Sequence, residues 1–198
     1  MNKVIPIFPL GEMVMFPGVV TEFYIFEPRY IDMIEHCLDS QGIFCFGTLV
    51  GNWRELYNES PEIFSHGCLC SIEEYQKHDD GRYSILVKGL HRVKISEIPS
   101  ERLYRIVQTE QLDYIDDITD SADQYETIRN FIKRVLGKHI PNKNNDDLDQ
   151  MIDDMELGKL LAFLCFQSPL DIECKLSLIK ENSLKEIFMQ LISQTNEN

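Results

Sequence analysis

Two hydrophobic periodicities divide the chain. From Val4 to about residue 112 apolar residues form short runs or alternate with polar ones, the spacing of strands. From about Ser121 onward they recur every three or four positions, the spacing of helices. The opening strand, Val4 to Leu10, is punctuated by Pro6 and Pro9, which predicts an edge position because proline cannot donate to a ladder. Phe16-Pro17-Gly18 reads as a turn before a second strand, Val19 to Ile25. Pro28 suits the first position of a helix, where its missing N–H costs nothing. Tyr30, Ile34, Cys37 and Leu38 then give that helix one apolar face over about three turns.

Ile43 to Val50 reads as a buried strand ended by Gly51, followed by a polar loop from Asn52 to His66 that holds Trp53, Tyr57 and Pro61. Cys68 to Tyr75 and Arg82 to Leu86 predict a hairpin across His78-Asp79-Asp80-Gly81. The second strand runs on from Val87 to Ile95, with Gly89 marking a bulge or sharp corner of the kind a small closed barrel needs. Tyr104 to Leu112 is the last strand expected.

The helical half is expected to begin at Ser121 and to pause at Gly137, with Pro141 beyond and a polar loop from Asn142 to Asp147. A second helix is expected from Leu148 to Phe166, and Ser168-Pro169-Leu170-Asp171 supplies start signals for a third. Ser183-Leu184-Lys185-Glu186 has the form of a capping box opening the last helix. Four helices with short connections predict a four-helix bundle. Residues 113–120, acidic and without a base, are expected to be a solvated connector between the halves, 1–112 and 121–198.

Composition narrows the function. The 198 residues carry 33 acids against 19 bases, a net charge of −14 that repels DNA and RNA and argues against nucleic acid as the main partner. No apolar run approaches the roughly 20 residues that span a bilayer. The N-terminus imitates a signal peptide only until Pro6, Pro9, Gly11 and Glu12 interrupt it, so a cytoplasmic protein with six reduced, mostly buried thiols is expected. The polar tail Ser193–Asn198 is read as a natural end. His66, Cys68 and Cys70 are the one cluster suggesting a metal, but ligands alternating along a strand lie about 6.7 Å apart, too far for one tetrahedral zinc to gather all three. No metal and no cofactor is expected, and Cys68 and Cys70 are assigned to the core.

The chain contains no phosphate loop, no Gly-x-Gly-x-x-Gly, no Gly-x-Ser-x-Gly, no His-Glu-x-x-His and no EF-hand loop. Its five histidines lack partners at a catalytic spacing, and acids such as Asp153, Asp154 and Glu156 read as a solvated helix face. No catalytic residue is assigned.

Several segments resemble a known family. Ile5 to Leu10 with Pro9, then Phe16-Pro17-Gly18, then Phe26-Glu27-Pro28-Arg29-Tyr30, are similar to the opening of the Lon N-terminal, substrate-binding domain in its stand-alone form. The similarity continues through His66-Gly67, Asp80-Gly81-Arg82 and a Val-x-Gly-x-x-Arg segment that holds Gly89 and Arg92, with Tyr104 further on. Lys175 also fits, although Leu176 stands where the family tends to have glutamine. The resemblance implies an α+β fold, with a PUA-like β-barrel of about six strands and one short helix followed by a C-terminal helical bundle. It implies a bacterial, non-catalytic polypeptide-binding module of the peptidase S16 family, lacking the ATPase and Ser-Lys protease domains. Its implied partners are unfolded or non-native polypeptides and a full-length Lon-type protease.

Trp53, Arg54 and Tyr57 in the polar loop have the composition of a contact hot spot, and Phe16 in the early turn is a fourth candidate. Folding back of Trp53 as a lid, and burial of Phe16, are the competing readings. Arg29 is expected to tie its helix to the barrel or to Glu27. Other functions remain open at this level: an RNA-contacting module using Arg82, Lys88, Arg92 and Lys94, a docking adaptor for one folded partner, or a small-ligand crevice between barrel and bundle.

Overall fold

The computed structural model describes residues 3–118, 122–139, 150 and 152–196. The expected loop at 142–147 and Pro141 lie outside them. The chain divides into two compact units, residues 1–112 and 113–198. The first holds β1 (Lys3–Leu10), β2 (Val20–Ile25), α1 (Pro28–Leu38), β3 (Ile43–Thr48), β4 (His66–Lys77), β5 (Tyr83–Ile98) and β6 (Ile106–Leu112). The second holds α2 (Ala122–His139), α3 (Leu157–Gln167), α4 (Ile172–Lys180) and α5 (Leu184–Asn196).

The 16-residue β5 is the spine of the first unit. Its first half pairs with β2, from Ile25 opposite Tyr83 to Val20 opposite Lys88. Its second half pairs with β6, from Arg92 opposite Leu112 to Ile98 opposite Ile106, while β4 runs along the other side. Since β6 also pairs with β1, β1 with β3 and β3 with β4, the pairing returns to β5 and the sheet closes as a barrel. Among the described residues, only β2 ends the order, bonded on one side.

Gly89 sits where β5 changes partners. Leu69 faces His91 and Cys70 faces Gly89, so Leu90 is an extra residue, a bulge at the expected place. The close approach explains the glycine: a Cβ there would lie 2.2 Å from the Phe16 carbonyl oxygen. Gly18 N–H donates to the Gly89 carbonyl and Gly89 N–H to that of Val19, which locks the early turn onto the spine.

The edge position expected for β1 is corrected. Lys3–Pro6 pair with β6 and Ile7–Leu10 pair in parallel with β3. The strand changes partners between its prolines, so each half is laddered on one side only and a residue without an N–H can sit in it.

The core follows from the alternation. Ile7, Cys45, Leu69, Val93, Ile95 and Val107 form one cluster. Beside it the Phe8 ring packs edge-on against Phe23, Tyr30, Phe44 and Phe46. Cys45, Cys68 and Cys70 are fully buried. Met33, Ile34 and Cys37 form the buried face of α1, and Pro28 opens the helix as the sequence implied.

In the second unit α2 continues through Gly137 to His139, against the expected stop. That glycine has no positive φ, so it makes no left-handed cap and the helix passes through it. The single helix expected over 148–166 is also corrected. Residues 152–154 are helical, Met155 and Glu156 are not, and α3 starts afresh at Leu157. Gly158 lies against Tyr114, where a Cβ would come within 2.7 Å of the ring. For α4 the cap is Asp171, accepting from Cys174 N–H at 2.7 Å, rather than Ser168.

The last helix shows half of its capping box: Glu186 N–H donates to Ser183 Oγ at 3.0 Å, but Ser183 N–H goes to Glu181. Residues 113–118 do more than link. Ile115 bridges Ser183, and Asp117 accepts from Ser183 Oγ at 2.6 Å and Lys185 N–H at 3.1 Å. The acidic stretch thus pins the start of α5.

Candidate functional site

The loop 51–65 is anchored at both ends. Leu49 bridges Ile63, Val50 N–H donates to Glu62 and Phe64 N–H to Thr48. Between these anchors Trp53 turns back over the end of β1, half-buried, its ring filling the space above Gly11. Arg54 lies over the indole, 4.7 Å from the centroid, and pairs with Glu12. Tyr57 packs edge-on to Trp53 at 6.4 Å and donates to Glu27 Oε1 at 2.5 Å.

Glu27 also accepts from Arg29 Nε at 3.0 Å, and the Arg29 guanidinium is sandwiched between Tyr30 and Tyr57 at 4.7 and 4.8 Å. Burial works against the Arg29 charge, but Tyr30 and Glu27 outweigh it and raise its pKa. Burial and the Glu27 carboxylate push the Tyr57 phenol up, so it stays a neutral donor. Three of the four contact candidates are therefore brought together. The fourth is not: Phe16 is 1 % exposed, packed under the turn that Gly89 holds, and offers no accessible surface.

Arg29 and Tyr30 also line a cavity of about 620 Å³ with Glu59, Glu97, Leu103 and Arg105. Arg105 is clamped there by Glu97 at 2.5–2.6 Å and by the Pro61 carbonyl at 2.7 Å. Leu103 on the rim is 71 % exposed. Below it Tyr104 is buried against His36. The last strand, expected from Tyr104, starts at Ile106, so Arg102-Leu103-Tyr104-Arg105 form a β5–β6 loop that no periodicity marks in the sequence; the adjacent Pro99-Ser100 turn is the one signal for it.

The basic stretch weighed for RNA is dispersed. Arg92 is 1 % exposed, Arg82 pairs with Asp80, and Lys94 faces Glu110 across the sheet. Nor are the buried thiols poised as nucleophiles. Burial pushes Cys37 up to about 12 and holds Cys45 and Cys70 well above the ordinary thiol range. Among the described residues, no three metal-ligating side chains come together.

The family profile for the ATP-dependent protease La (LON) substrate-binding domain matches residues 4–196. The chain belongs to this family. Lon protease of Rickettsia conorii is 23 % identical over 207 residues, taking in 100 % of this chain and 26 % of the relative. Lon protease of Escherichia coli K12 is 25 % identical over 190 residues, 92 % of this chain and 23 % of the relative. The chain thus spans about a quarter of the length of the Lon proteases it matches. The N-terminal domain of Mycobacterium avium complex Lon protease shares the fold with a TM-score of 0.71 at 15 % identity, covering 99 % of this chain and 100 % of that one. The Lon N-terminal domain protein of Xanthomonas campestris gives 0.71 at 18 % identity, covering 96 % and 98 %. The match is to the Lon substrate-binding domain, and no ATPase or protease domain is detected. Among the described residues, no helix is long and apolar enough to cross a membrane.

Proposed function

We propose that the chain is a non-catalytic, cytoplasmic module that binds non-native polypeptide through its barrel unit. The observation that carries this reading is the family match over 4–196, to a substrate-binding domain. The exposed apolar side chains of the barrel unit agree with it. Tyr24, Phe26, Leu56, Tyr75 and Leu103 are large, apolar and accessible, the kind of surface that tolerates many sequences. The loop carrying Trp53, Arg54 and Tyr57, with the cavity beside Leu103, is the proposed contact face. A Lon-type protease is the proposed recipient of what is held.

The test is fluorescence anisotropy with labelled, reduced and carboxymethylated α-lactalbumin at near-physiological salt. Binding is expected, and Leu56→Asp with Leu103→Asp is expected to weaken it about tenfold without lowering thermal stability, since both side chains face water. Unchanged binding in that double variant would move the site elsewhere. No binding by the unaltered chain would leave a dedicated folded partner as the better reading.

A further inference from the structure

β2 presents an open edge whose chemistry specifies what can pair with it. Gly89 N–H donates to the Val19 carbonyl at 2.9 Å, so Val19 faces the spine. By antiparallel alternation Thr21, Phe23 and Ile25 do the same, and Val20, Glu22 and Tyr24 turn their N–H and C=O groups outward. Among the described residues, no strand pairs with that side. The same three residues point their side chains into water, Val20 at 51 % and Tyr24 at 49 % exposure, with Phe26 just beyond at 61 %.

The charge on this face is patterned. Glu22 stands opposite Leu86, and Glu74 flanks Leu86 from the other side. These residues line a shallow concavity of about 490 Å³ together with Gln76 and Ser84. Lys88 lies diagonal to Glu22, across from Val20, and Arg82 is occupied by Asp80 and the Tyr24 ring. Among the described residues, neither Glu22 nor Glu74 is in a salt bridge. On the opposite face Phe23 is half-buried, stacked on Phe46 at 5.6 Å, and among the described residues no further strand lies beside it on the outer side.

A second copy of this chain is a poor occupant. A two-fold antiparallel pairing that uses the whole outer edge places Glu22 opposite Glu22, and like charges directly opposite destabilise a ladder. Two molecules of net charge −14 also repel.

We propose that the outer edge of β2 accepts one extended segment of a non-native polypeptide as an added strand, with a lysine or arginine opposite Glu22 and apolar residues on either side. Main-chain bonds to Val20, Glu22 and Tyr24 supply sequence-tolerant affinity, and alternate side chains supply selectivity. The residue facing Glu22 points to the acidic face. Its neighbours point to the other face, over Phe23, and the next pair lies against Val20 and Tyr24. The inference rests on the polypeptide-binding reading above and names the strand and side-chain pattern it uses.

Two labelled peptides centred on Val-Leu-Lys-Leu-Val and Val-Leu-Glu-Leu-Val, each flanked by Gly-Ser, provide the test alongside the unfolded lactalbumin. The lysine peptide is expected to bind about fivefold tighter than the glutamate one, and Glu22→Lys is expected to invert that order. Glu22→Pro removes an outward N–H while leaving the spine pairing intact, and is expected to weaken both peptides about tenfold. If Glu22→Pro does not fold, hydrogen exchange decides: Glu22 and Tyr24 amides must gain protection when the lysine peptide binds. Unchanged order in Glu22→Lys and unchanged amide exchange, with lactalbumin still bound, would overturn the edge site alone. Failure of the unaltered chain to bind lactalbumin and both peptides would overturn the polypeptide-binding reading and the edge site with it.

Discussion

The Trp53 ring occupies the space that a side chain on Gly11 would need: a Cβ there would lie 2.1 Å from Cε2. Gly11 follows β1 directly, so this contact fastens the 51–65 loop to the barrel. The tryptophan therefore serves the fold, with Arg54 stacked over its ring.

Gly11→Ala is expected to lever the indole out of its seat. Trp53 is the only tryptophan, so its emission reports the event without interference. A red shift with a loss of about 1–3 kcal/mol in urea unfolding is the expected result. Unchanged emission and an unchanged midpoint would mean that the loop is not held by this contact.

Gly89→Ala is expected to cost more, about 3 kcal/mol or beyond, because its Cβ would meet backbone, the Phe16 carbonyl, and not the end of a flexible side chain. Gly81→Ala is the control. It has open space around it and a φ of 84°, so only the left-handed conformation is penalised, about 1–2 kcal/mol. Equal losses in the two variants would remove the close approach as the reason for Gly89.

Asp117 gives the helical unit an acid-sensitive clasp. Its pKa is lowered by the Ser183 hydroxyl and the Lys185 N–H, which bond the charged form. A carboxylate depressed on folding contributes stability above its unfolded value of 3.8, and that contribution is lost as pH falls toward the lowered folded value. Asp117→Asn is expected to lower the thermal midpoint at about pH 6, and the gap to the unaltered chain is expected to close progressively as pH falls below 3.8 and through the lowered folded value. A gap that stays constant across that range would show that the clasp does not depend on charge.

Sequence reading went furthest where a local rule sufficed. Pro28 at the start of α1, the Asp80-Gly81 turn and the Arg29–Glu27 pair all depend on neighbours within a few residues. The resemblance carried by Pro9, Phe16-Pro17-Gly18 and Phe26 to Tyr30 was enough to identify the family. It went astray where a partner distant in sequence decides the outcome. The prolines of β1 suggested an edge because periodicity cannot show that a strand changes partners midway. Gly137 suggested a stop, yet its helix continues.

The candidate site divides in the same way. Composition picked out Trp53, Arg54 and Tyr57, but Glu12 and Gly11, about 40 residues earlier in the chain, determine how they sit. Arg92, grouped with the surface cations, is buried, whereas Phe16 lies in the core as the burial reading of its turn expects. By itself the sequence determined the two periodicities, the turns, the acidic charge and the family. Only the tertiary structure decided that one edge of β5 would serve two partners in turn, which closes the barrel along one half and leaves β2 open along the other. Side-chain period and turn chemistry act over a few residues, whereas strand partnership is settled by which distant backbone groups satisfy one another once the core has formed.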